Sequence, residues 1–503
     1  MNSKLIKVLV LLPFLLELPL LATDPAGSAA SLSIRVDAAQ VTGVLRSFQG
    51  VNLGPLHTQT NFPDLTAQYR ALRIDAIRTH DFFGPTDLDA HPRDRGHEQV
   101  IFPDWSADPA KADSYRFGPS DRMVKGIVDC SARPCFRLGR SFGADPTPPP
   151  DFEKFAEVAK HIVMHYNGGW ANGYHYNIRY WEIWNEPNIE KDWVPGKGLY
   201  LFWSGTREQF FDLYQKTARA LKALDPSLKV GGPGLAEGAR PSPWREGFVQ
   251  YCARHQVPLD FLSWHHYHGD SYDPWDMVRI AQDVRRLLDE YHLAGTESHV
   301  NEWNLNLTKG TNGPQNQASM ESAAFTLCAL IYLQDAPLDR SYYYTGNAGN
   351  MGSFGRDGSC WKKAYALKAT GAMLDTPQRL AVTGTDTMGF AGLAGRSADN
   401  QTVQVLISNY QVPQPQEPPH QTAAPGSHGL ARRQLRSGRI TGYALEIANL
   451  PWGKGPFTAK RYRTDADRNY ALIEETNGTG GHLKLSNPLP APAFELIVVR
   501  AAH

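Results

Sequence analysis

Between residues 48 and 375, short apolar segments alternate with stretches in which apolar residues recur every three or four positions. Short apolar segments indicate buried strands, and the longer period indicates amphipathic helices. The predicted strands are 48–53, 76–79, 134–138, a strand from Tyr180, 229–232, 261–265, 298–302 and 340–344. The predicted helices are 63–72, 120–128, 151–166, a helix from Thr206, 276–288 and 319–333. Eight strands separated by helical or loop connections predict an α/β fold, a (β/α)8 TIM barrel over residues 48–375.

The pattern changes after residue 375, where short segments with alternating polarity replace the strand–helix units. Such segments are typical of antiparallel strands, so residues 376–503 are expected to form a β-sandwich accessory domain. Residues 410–439 interrupt it with a segment rich in Pro, Gln, Gly, Ser and Arg, which predicts a mobile insertion. Residues 31–47 contain one further strand, which we expect to join either the β domain or the base of the barrel.

The first 30 residues have the pattern of a signal peptide. Lys4 and Lys7 precede an apolar run from Val8 to Leu21, and small residues follow at 26–30. The run is shorter than the roughly 20 residues that a bilayer-spanning helix requires, although an uncleaved anchor remains the alternative. We therefore expect an exported protein, periplasmic or extracellular, that is free of the membrane after cleavage.

Composition and charge exclude some classes of partner. The 51 basic residues equal the 51 acidic ones, so the sequence lacks the basic footprint of a nucleic-acid-binding protein. The five cysteines include no Cys-x-x-Cys pair, which argues against a structural zinc site. Export would permit a disulfide, for example between Cys130 and Cys135, and the odd count leaves at least one thiol free. No cofactor is predicted.

A histidine-rich run at the sixth predicted strand has the composition of a metal site. His265 and His266 are neighbours in that strand, and His268 and Asp270 follow. Adjacent strand residues point to opposite faces, so His265 and His266 cannot both be ligands in a regular strand. The prediction is that this run binds no metal.

Two of the predicted barrel strands end in Asn-Glu. Asn185 and Glu186 follow the fourth strand, where Pro187 prevents its regular continuation, and Asn301-Glu302 ends the seventh. Catalytic groups of such barrels lie at the carboxyl ends of the strands, and strands four and seven face each other across the barrel. Two carboxylates in one cleft are the minimum equipment for glycoside hydrolysis, although each could instead be an ordinary hydrogen-bonded strand-end residue. Their spacing would decide between retention and inversion of the anomeric configuration.

The segment Glu182–Asn188 resembles the acid/base segment of clan A glycoside hydrolases, and most closely that of family 39, which includes β-xylosidases and α-L-iduronidases. Further matches are Arg78–Asp81, Val230–Pro233 and Ser263–Tyr267. The resemblance extends from Phe48 to Leu374, and a β domain after the barrel is also a family feature.

The resemblance implies roles for five residues. Glu186 would be the acid/base and Glu302 the nucleophile of a retaining double displacement. Asn185 would bind the 2-hydroxyl of the sugar, His265 another sugar hydroxyl, and Tyr267 would donate to the nucleophile and keep it ionised.

Positions at strand ends supply further candidates. His80 and Asp81, after the second strand, and His57, after the first, are candidate substrate contacts. Arg78 is expected to support the site by pairing with a catalytic carboxylate or a buried acid. Trp361 is a candidate sugar contact, with an ordinary glycine-rich loop as the alternative.

The chain also departs from the β-xylosidases of that family. Trp303 and Asn304 follow Glu302 where those enzymes carry further acidic residues, and the segment 345–357 contains no glutamate. The first expectation is nevertheless a β-xyloside derived from an oligosaccharide or polysaccharide. The alternatives within the class are an α-L-arabinofuranoside, a galactoside or an exopolysaccharide chain. A non-catalytic carbohydrate-binding barrel is the alternative of another class, and the sequence leaves the oligomeric state open.

Overall fold

The computed structural model describes residues 30–90, 99–189, 202–236, 242–267, 272–305, 317–349, 351–413, 433–436 and 438–502. Eight parallel strands close into a barrel in chain order. They are β2 (Gly50–Asn52), β3 (Ala76–Arg78), β4 (Arg133–Leu138), β5 (Tyr180–Ile183), β6 (Lys229–Leu235), β7 (Phe261–Tyr267), β8 (Glu297–Asn304) and β9 (Arg340–Tyr343). The predicted barrel is therefore confirmed.

Eight α-helices of the described residues connect or follow these strands. They are α1 (Thr66–Ala71), α2 (Gly118–Asp129), α3 (Phe152–Gly168), α4 (Arg207–Leu224), α5 (Pro243–His255), α6 (Asp276–Glu290), α7 (Met320–Tyr332) and α8 (Lys362–Met373). Asp151 caps α3 by accepting from the backbone N–H of Lys154, and Thr206 caps α4 in a capping box with Gln209. Helices α5 and α8 are absent from the prediction.

The interior of the barrel is layered. At the amino ends of the strands, Ala76, Cys135, Tyr180, Phe261 and Tyr342 form a small apolar cluster. The next layer toward the carboxyl ends is polar and fully buried, and it consists of Asn52, Arg78, Glu182, Ser263 and Asn301. A polar layer inside a barrel requires each group to find a partner. This layer forms the floor of the cleft in which the candidate residues lie.

The remaining strands form one nine-stranded sheet, in the order β15-β14-β17-β12-β11-β10-β1-β13-β16. They are β1 (Ala30–Val44), β10 (Gln378–Thr383), β11 (Phe390–Arg396), β12 (Thr402–Asn409), β13 (Ile440–Ala448), β14 (Pro456–Thr464), β15 (Ala471–Thr479), β16 (Leu483–Pro488) and β17 (Ala493–Ala501). The sheet folds over itself around one core, and Tyr443 on β13 thereby donates to Glu495 on β17, which is not its neighbour in the sheet. This two-layered domain is the predicted sandwich, and β15 and β16 are additions to the prediction.

One pair in this sheet is parallel rather than antiparallel. Strand β1 pairs with β10 in the antiparallel sense and with β13 in the parallel sense. The parallel pair arises because β1 comes from the amino-terminal end of the chain and fits between two strands that follow the barrel. The strand predicted within 31–47 thus lies in the β domain and not under the barrel.

Several predicted features lie outside the described residues. These are most of the signal segment (1–29), most of the insertion (414–432 and 437), and His268 and Asp270. The end of the insertion is tied to the barrel, because the guanidinium of Arg433 lies 2.7 Å from the carboxylate of Asp273. All five cysteines are free thiols, so the expectation that export would permit a disulfide between Cys130 and Cys135 finds no bond here. Within the described part of the chain, no helix has the length and apolarity needed to cross a membrane.

Candidate active site

Glu186 reaches the cleft because the chain turns sharply where β5 ends. Trp184 and Glu186 both have positive φ values, 73° and 45°, so the extended conformation stops after Ile183. The backbone N–H of Glu186 donates to the carbonyl oxygens of Pro233 and Gly234, at 3.2 and 3.0 Å. These bonds attach the turn to β6 and fix the position from which the Glu186 side chain enters the cleft.

Gly234 is a position that favours glycine. Its φ is +62°, and a Cβ there would lie 3.0 Å from Nε2 of His265 and 3.2 Å from Nη2 of Arg78. The third neighbour would be Oδ1 of Asn185, at 3.4 Å. The backbone of β6 therefore comes as close to the polar side chains of the cleft as a chain without a Cβ allows.

Glu302 and Asn301 are adjacent in β8, yet both side chains reach the interior of the barrel. The register between β7 and β8 shifts between Trp264 and His265, so that Val300 and Glu302 are successive partners and Asn301 is an extra residue. Such a bulge re-aims side chains that would otherwise alternate. Asn301 consequently donates to Glu182, and Glu302 lies beside His265 on the neighbouring strand.

The two candidate catalytic carboxylates lie close together at the carboxyl ends of their strands. One ligand atom each from Glu186, His265 and Glu302 lies within 4.8 Å of the other two. Nδ1 of His265 lies between the acids, 2.7 Å from Oε1 of Glu186 and 3.6 Å from Oε2 of Glu302. The hydroxyl of Tyr267 donates to Oε1 of Glu302 at 2.5 Å. The separation of the two carboxylates is therefore short for a pair of glycosidase acids. It lies below the range of roughly 6.5–9.5 Å that is typical of inverting enzymes.

Arg78 is the central cation of the site. Its guanidinium is completely buried and donates from Nε to Oε2 of Glu182 at 2.6 Å. Nη1 donates to Glu302 Oε2 and to Asn52 Oδ1, both at 3.1 Å, and Nη2 donates to Asn185 Oδ1 at 2.7 Å. Burial alone would lower the pKa of Arg78, but the charges of Glu182 and Glu302 raise it, so the guanidinium stays protonated.

Glu182 lies below this cleft and has a structural role. It accepts from Arg78, from the hydroxyl of Ser263 at 2.7 Å and from the amide of Asn301. Burial alone would raise the pKa of Glu182, but Arg78 and these donors lower it. Glu182 is therefore the buried anion that holds the guanidinium in position for Glu302 and Asn185.

Replacement of Glu182 should destabilise the protein strongly. Glu182→Gln keeps the side-chain volume but leaves Arg78 with one buried counterion fewer, so we expect a loss of about 3 kcal/mol in the free energy of unfolding. Urea unfolding followed by circular dichroism measures this change. The matched control, Glu208→Gln, alters a glutamate whose side chain is 69% exposed, and it should stay within about 0.5 kcal/mol of the unmodified protein. Equal urea midpoints for Glu182→Gln and Glu208→Gln would show that Glu182 does not anchor Arg78.

The electrostatics of the cleft favour an uncharged His265 and a carboxyl group that titrates near neutrality. Burial raises the pKa of Glu302 to about 7; His265 and Arg78 oppose this rise, and the carboxylate of Glu186 adds to it. Burial also lowers the pKa of His265 to about 4. A neutral imidazole can donate from Nδ1 to an ionised Glu186 or accept there from a protonated one. His265 is thus suited to both protonation states of Glu186.

A second polar group faces the same cleft from β3 and β9. His80 and Asp81 are both buried, with His80 Nε2 at 3.2 Å from Asp81 Oδ1. Asp81 accepts from the backbone N–H of Phe142 and from the hydroxyl of Tyr344, both at 2.7 Å. Burial raises the pKa of Asp81 and lowers that of His80. Tyr344 is absent from the sequence-based candidates, although its place at the end of the last barrel strand was a usable signal.

Three buried nitrogen atoms in this region have no hydrogen-bond partner among the described residues. They are Nδ2 of Asn185, Nε2 of His265 and Nδ1 of His80. Buried polar atoms are nearly always paired, so an unpaired set beside two carboxylates indicates groups reserved for a ligand. Each can bind a hydroxyl group, as the sequence-based hypothesis for these residues requires.

His57 and Trp361 do not have a described contact with either carboxylate. The imidazole of His57 stacks on Phe62 with 3.9 Å between ring centroids, and its Nδ1 accepts from the backbone N–H of Gln59. Trp361 immediately precedes α8, where its backbone N–H donates to the carbonyl of Ser353. Their roles as sugar contacts remain predictions.

Glu186, His265 and Glu302 are also a group of side chains with the spacing of metal ligands. However, Nδ1 of His265 is engaged by Glu186, and Arg78 already places a fixed positive charge on Glu302. A cation at this position would be repelled by the guanidinium and would have to displace these bonds. The donor set therefore fits acid–base chemistry better than metal binding.

Comparisons with known proteins agree with this site. The family model described as glycosyl hydrolases family 39 matches residues 105–348. The β-xylosidase of Geobacillus stearothermophilus is 28% identical over 220 residues, which is 38% of this chain and 41% of the relative. The β-xylosidase of Caldicellulosiruptor saccharolyticus is 31% identical over 216 residues, which is 40% of this chain and 39% of the relative. The aligned region thus spans less than half the length of either curated relative.

A solved structure extends the similarity to nearly the whole chain. The glucosidase from Croceicoccus marinus is 33% identical, with a TM-score of 0.80, and the match covers 94% of this chain and 100% of that one. The family model and the match to a solved structure both agree with the fold described above. The family model covers most of the barrel, and the solved structure also covers the β domain. The chain belongs to glycosyl hydrolase family 39.

Proposed function

We propose that this protein is a retaining glycoside hydrolase that works by double displacement. The observation that carries the proposal is the placement of Glu186 and Glu302, with carboxylate oxygens within 4.8 Å of each other at the ends of facing barrel strands. Glu186 protonates the glycosidic oxygen while Glu302 attacks the anomeric carbon, which forms a glycosyl ester and releases the alcohol. Glu186 then removes a proton from water, which attacks the anomeric carbon from the side opposite Glu302; the bond between that carbon and the Glu302 oxygen breaks, and the sugar leaves with its configuration retained.

The hydrogen bonds support this division of roles. Glu302 accepts from Arg78 and from Tyr267, which stabilise its anion and orient it for attack. Glu186 is bonded to a neutral His265 and can hold or lose its proton there. Nδ2 of Asn185 is available for the 2-hydroxyl of the sugar, a contact that strengthens as charge develops on the ring.

Activity should rise with pH through the titration of Glu302. The nucleophile must be ionised, so the acidic limb of the kcat/KM profile should have its half-point near pH 7, and kcat/KM should fall again at higher pH, where Glu186 loses the proton that it donates. Tyr267→Phe removes a donor that stabilises the anion, and the half-point should move upward by about one pH unit. A pH profile of kcat/KM on an aryl glycoside measures both values. A half-point that is unchanged or lower in Tyr267→Phe would show that this hydroxyl does not hold the charge of Glu302.

The first substrate we propose is a β-xyloside, which is what the two curated relatives are named for. A β-glucoside is the second candidate, because a relative that is 33% identical and matches 94% of the chain is a glucosidase. The chain also lacks a glutamate in the segment 345–357 after the last barrel strand, which separates it from the β-xylosidases it resembles. We further propose that the protein is exported, because Lys4 and Lys7 precede an apolar run in the pattern of a signal peptide.

The test is hydrolysis of 4-nitrophenyl β-xyloside, β-glucoside, β-galactoside and α-L-arabinofuranoside, with proton NMR of the first-formed anomer. The proposal expects turnover of at least one of them and initial release of the anomer with the substrate's configuration. Release of the opposite anomer would contradict the retaining mechanism. If none of the four is hydrolysed while sugars still bind, the protein is the non-catalytic carbohydrate-binding barrel that the sequence left as an alternative.

A further inference from the structure

A cavity of about 310 Å³ lies between helix α8 and the β domain. Its walls come from the end of α8, at Ala372 and Asp375, and from strands β12, β14 and β17. A helix that follows a barrel strand runs back toward the amino ends of the strands, so its last residues lie away from the catalytic face. The cavity is therefore separate from the cleft that holds Glu186 and Glu302.

The strand residues that line the cavity are the ones that do not enter the core of the β domain. Alternate residues of a strand point to opposite faces. On β14, Phe457 and Ala459 belong to the core, while the other face lines the cavity. The same alternation holds on β17 and β12. The lining residues from these strands are Gln404, Thr458, Lys460, Tyr462, Leu496, Val498 and Arg500.

A sheet face that packs on a helix is normally apolar, but in this part of it polar residues stand beside Leu496 and Val498. Two of its three strands contribute Gln404, Thr458 and Lys460 where the barrel helix comes near. Farther along the same sheet, by contrast, Phe494 and Leu406 pack into the barrel core. The change from an apolar to a mixed lining coincides with the cavity.

Gln404 gives the clearest sign of a ligand. The residue is only 2% exposed, and its Nε2 donates to the carbonyl of Ala372 at 3.2 Å. Its Oε1 is buried without a hydrogen-bond partner among the described residues. An unsatisfied buried acceptor is costly, and native proteins rarely keep one without a use. A hydroxyl group of a molecule in the cavity would satisfy it.

An aromatic wall lies on the same side of the cavity. The rings of Tyr462 and Tyr470 stack with 5.2 Å between centroids and 18° between planes. The ammonium of Lys368 lies 4.7 Å from the centroid of Tyr470. Stacked, partly buried tyrosines offer an apolar surface and polar edges together, which suits the two-sided character of a sugar ring.

Two of the three charged side chains in the cavity wall are paired, and the third, Arg500, is exposed, so that solvent screens its charge. Lys460 pairs with Glu475 at 3.3 Å, and Asp375 pairs with Arg73 at 2.7 Å. A strongly charged ligand would therefore find little net attraction there. Neutral hydroxyl groups, in contrast, can use an amide, a threonine hydroxyl and the tyrosines. The volume is at the lower end of roughly 300–1,000 Å³ that small-ligand sites occupy.

We propose that this cavity, lined by Gln404, Tyr462 and Tyr470, is a second carbohydrate-binding site that takes a neutral sugar unit of a longer chain. It is distinct from the catalytic cleft, and binding there is independent of the proposed hydrolysis, whereas the role given next rests on it. Its function is to hold polysaccharide on the β domain while the cleft acts on chain ends or neighbouring chains.

Affinity electrophoresis in native gels tests this proposal, with soluble arabinoxylan, mixed-linkage β-glucan or polygalacturonate cast into the gel. The unmodified protein should be retarded by at least one of the two neutral polymers. Gln404→Met and Tyr462→Ser should each weaken this retardation by about tenfold in apparent dissociation constant, as expected for one lost contact in a dry site. Both should keep their activity on an aryl glycoside and their melting temperature within a few degrees.

Two further variants separate this site from the cleft. Glu302→Gln removes the nucleophile and should be retarded like the unmodified protein, since the second site is intact. Tyr291→Ser changes a half-buried tyrosine at the end of α6, away from the cavity, and should also behave like the unmodified protein. Absence of retardation by both neutral polymers, preference for polygalacturonate, or retardation of Gln404→Met and Tyr462→Ser equal to that of the unmodified protein would each overturn the proposal.

Discussion

Glu302→Ala is expected to lose hydrolysis of aryl glycosides by roughly 10⁴-fold or more, because the glycosyl ester of the proposed mechanism forms on the Glu302 carboxylate. The substitution leaves a space beside Arg78, whose guanidinium donates to Glu302 at 3.1 Å. Azide is a small anion that this positive charge attracts. We expect added azide to restore turnover on substrates with good leaving groups and to yield a glycosyl azide of inverted configuration, identified by NMR.

The control for this variant lies on the same strand. Glu297 is at the opposite end of β8, where it pairs with Lys229 and His299 and not with the cleft. Glu297→Ala should therefore keep most of the activity and show no response to azide. If Glu302→Ala kept normal turnover, Glu302 would not be the nucleophile and the double-displacement mechanism would fall.

Glu186→Ala should have the second largest effect, and that effect should depend on the leaving group. Substrates that leave as stable phenolates need no protonation, so formation of the glycosyl ester should be nearly normal for a dinitrophenyl glycoside. Substrates with poor leaving groups should be slowed by roughly 10²–10⁴-fold, the range of general acid catalysis. Stopped-flow measurement of the first turnover against the pKa of the leaving group gives this dependence.

Azide distinguishes the two glutamates. In Glu186→Ala it should intercept the ester formed on Glu302 and give a glycosyl azide with the configuration retained, opposite to the product of Glu302→Ala. His265→Ala is the matched variant, since it removes the partner that lies 2.7 Å from Glu186 but leaves the carboxyl group. It should slow all leaving groups more evenly. Equal slowing of good and poor leaving groups in Glu186→Ala would show that Glu186 is not the acid.

The barrel could be predicted because its strands are buried and its helices carry clear start signals. Asp151, Thr206 and Ser319 all cap helices, and each stands just before an apolar period. Helix α8 lacks such a signal. Helix α8 packs against α7 on one side and against the β domain on another. Its own buried residues are therefore distributed around the helix, and the sequence shows no single apolar face.

Strand β15 is absent from the prediction because it is too exposed, whereas helix α8 is buried on several sides. None of its residues is buried, so the sequence needs no alternation of apolar and polar residues there. Its conformation comes from backbone pairing with β14, which a single sequence does not reveal. The parallel pairing of β1 with β13 is equally invisible, because no local pattern specifies a partner so distant in the chain.

In the candidate site, the order of strands was enough to bring Glu186 and Glu302 together. The details that give them different surroundings were not predictable. The extra residue Asn301 in β8 depends on the register with β7, and the donation of Tyr344 to Asp81 depends on side-chain directions across the barrel. The four partners of Arg78 are a three-dimensional arrangement that spacing along the sequence does not encode.

The central place of β1 in the nine-stranded sheet has a consequence for synthesis on the ribosome. Residues 30–44 are made first, but their neighbours β10 and β13 begin only at residues 378 and 440. The barrel can close during translation, while β1 waits with both edges unpaired until the last quarter of the chain emerges. Unpaired edges invite association with other chains, so stalled or truncated products should aggregate through this first strand.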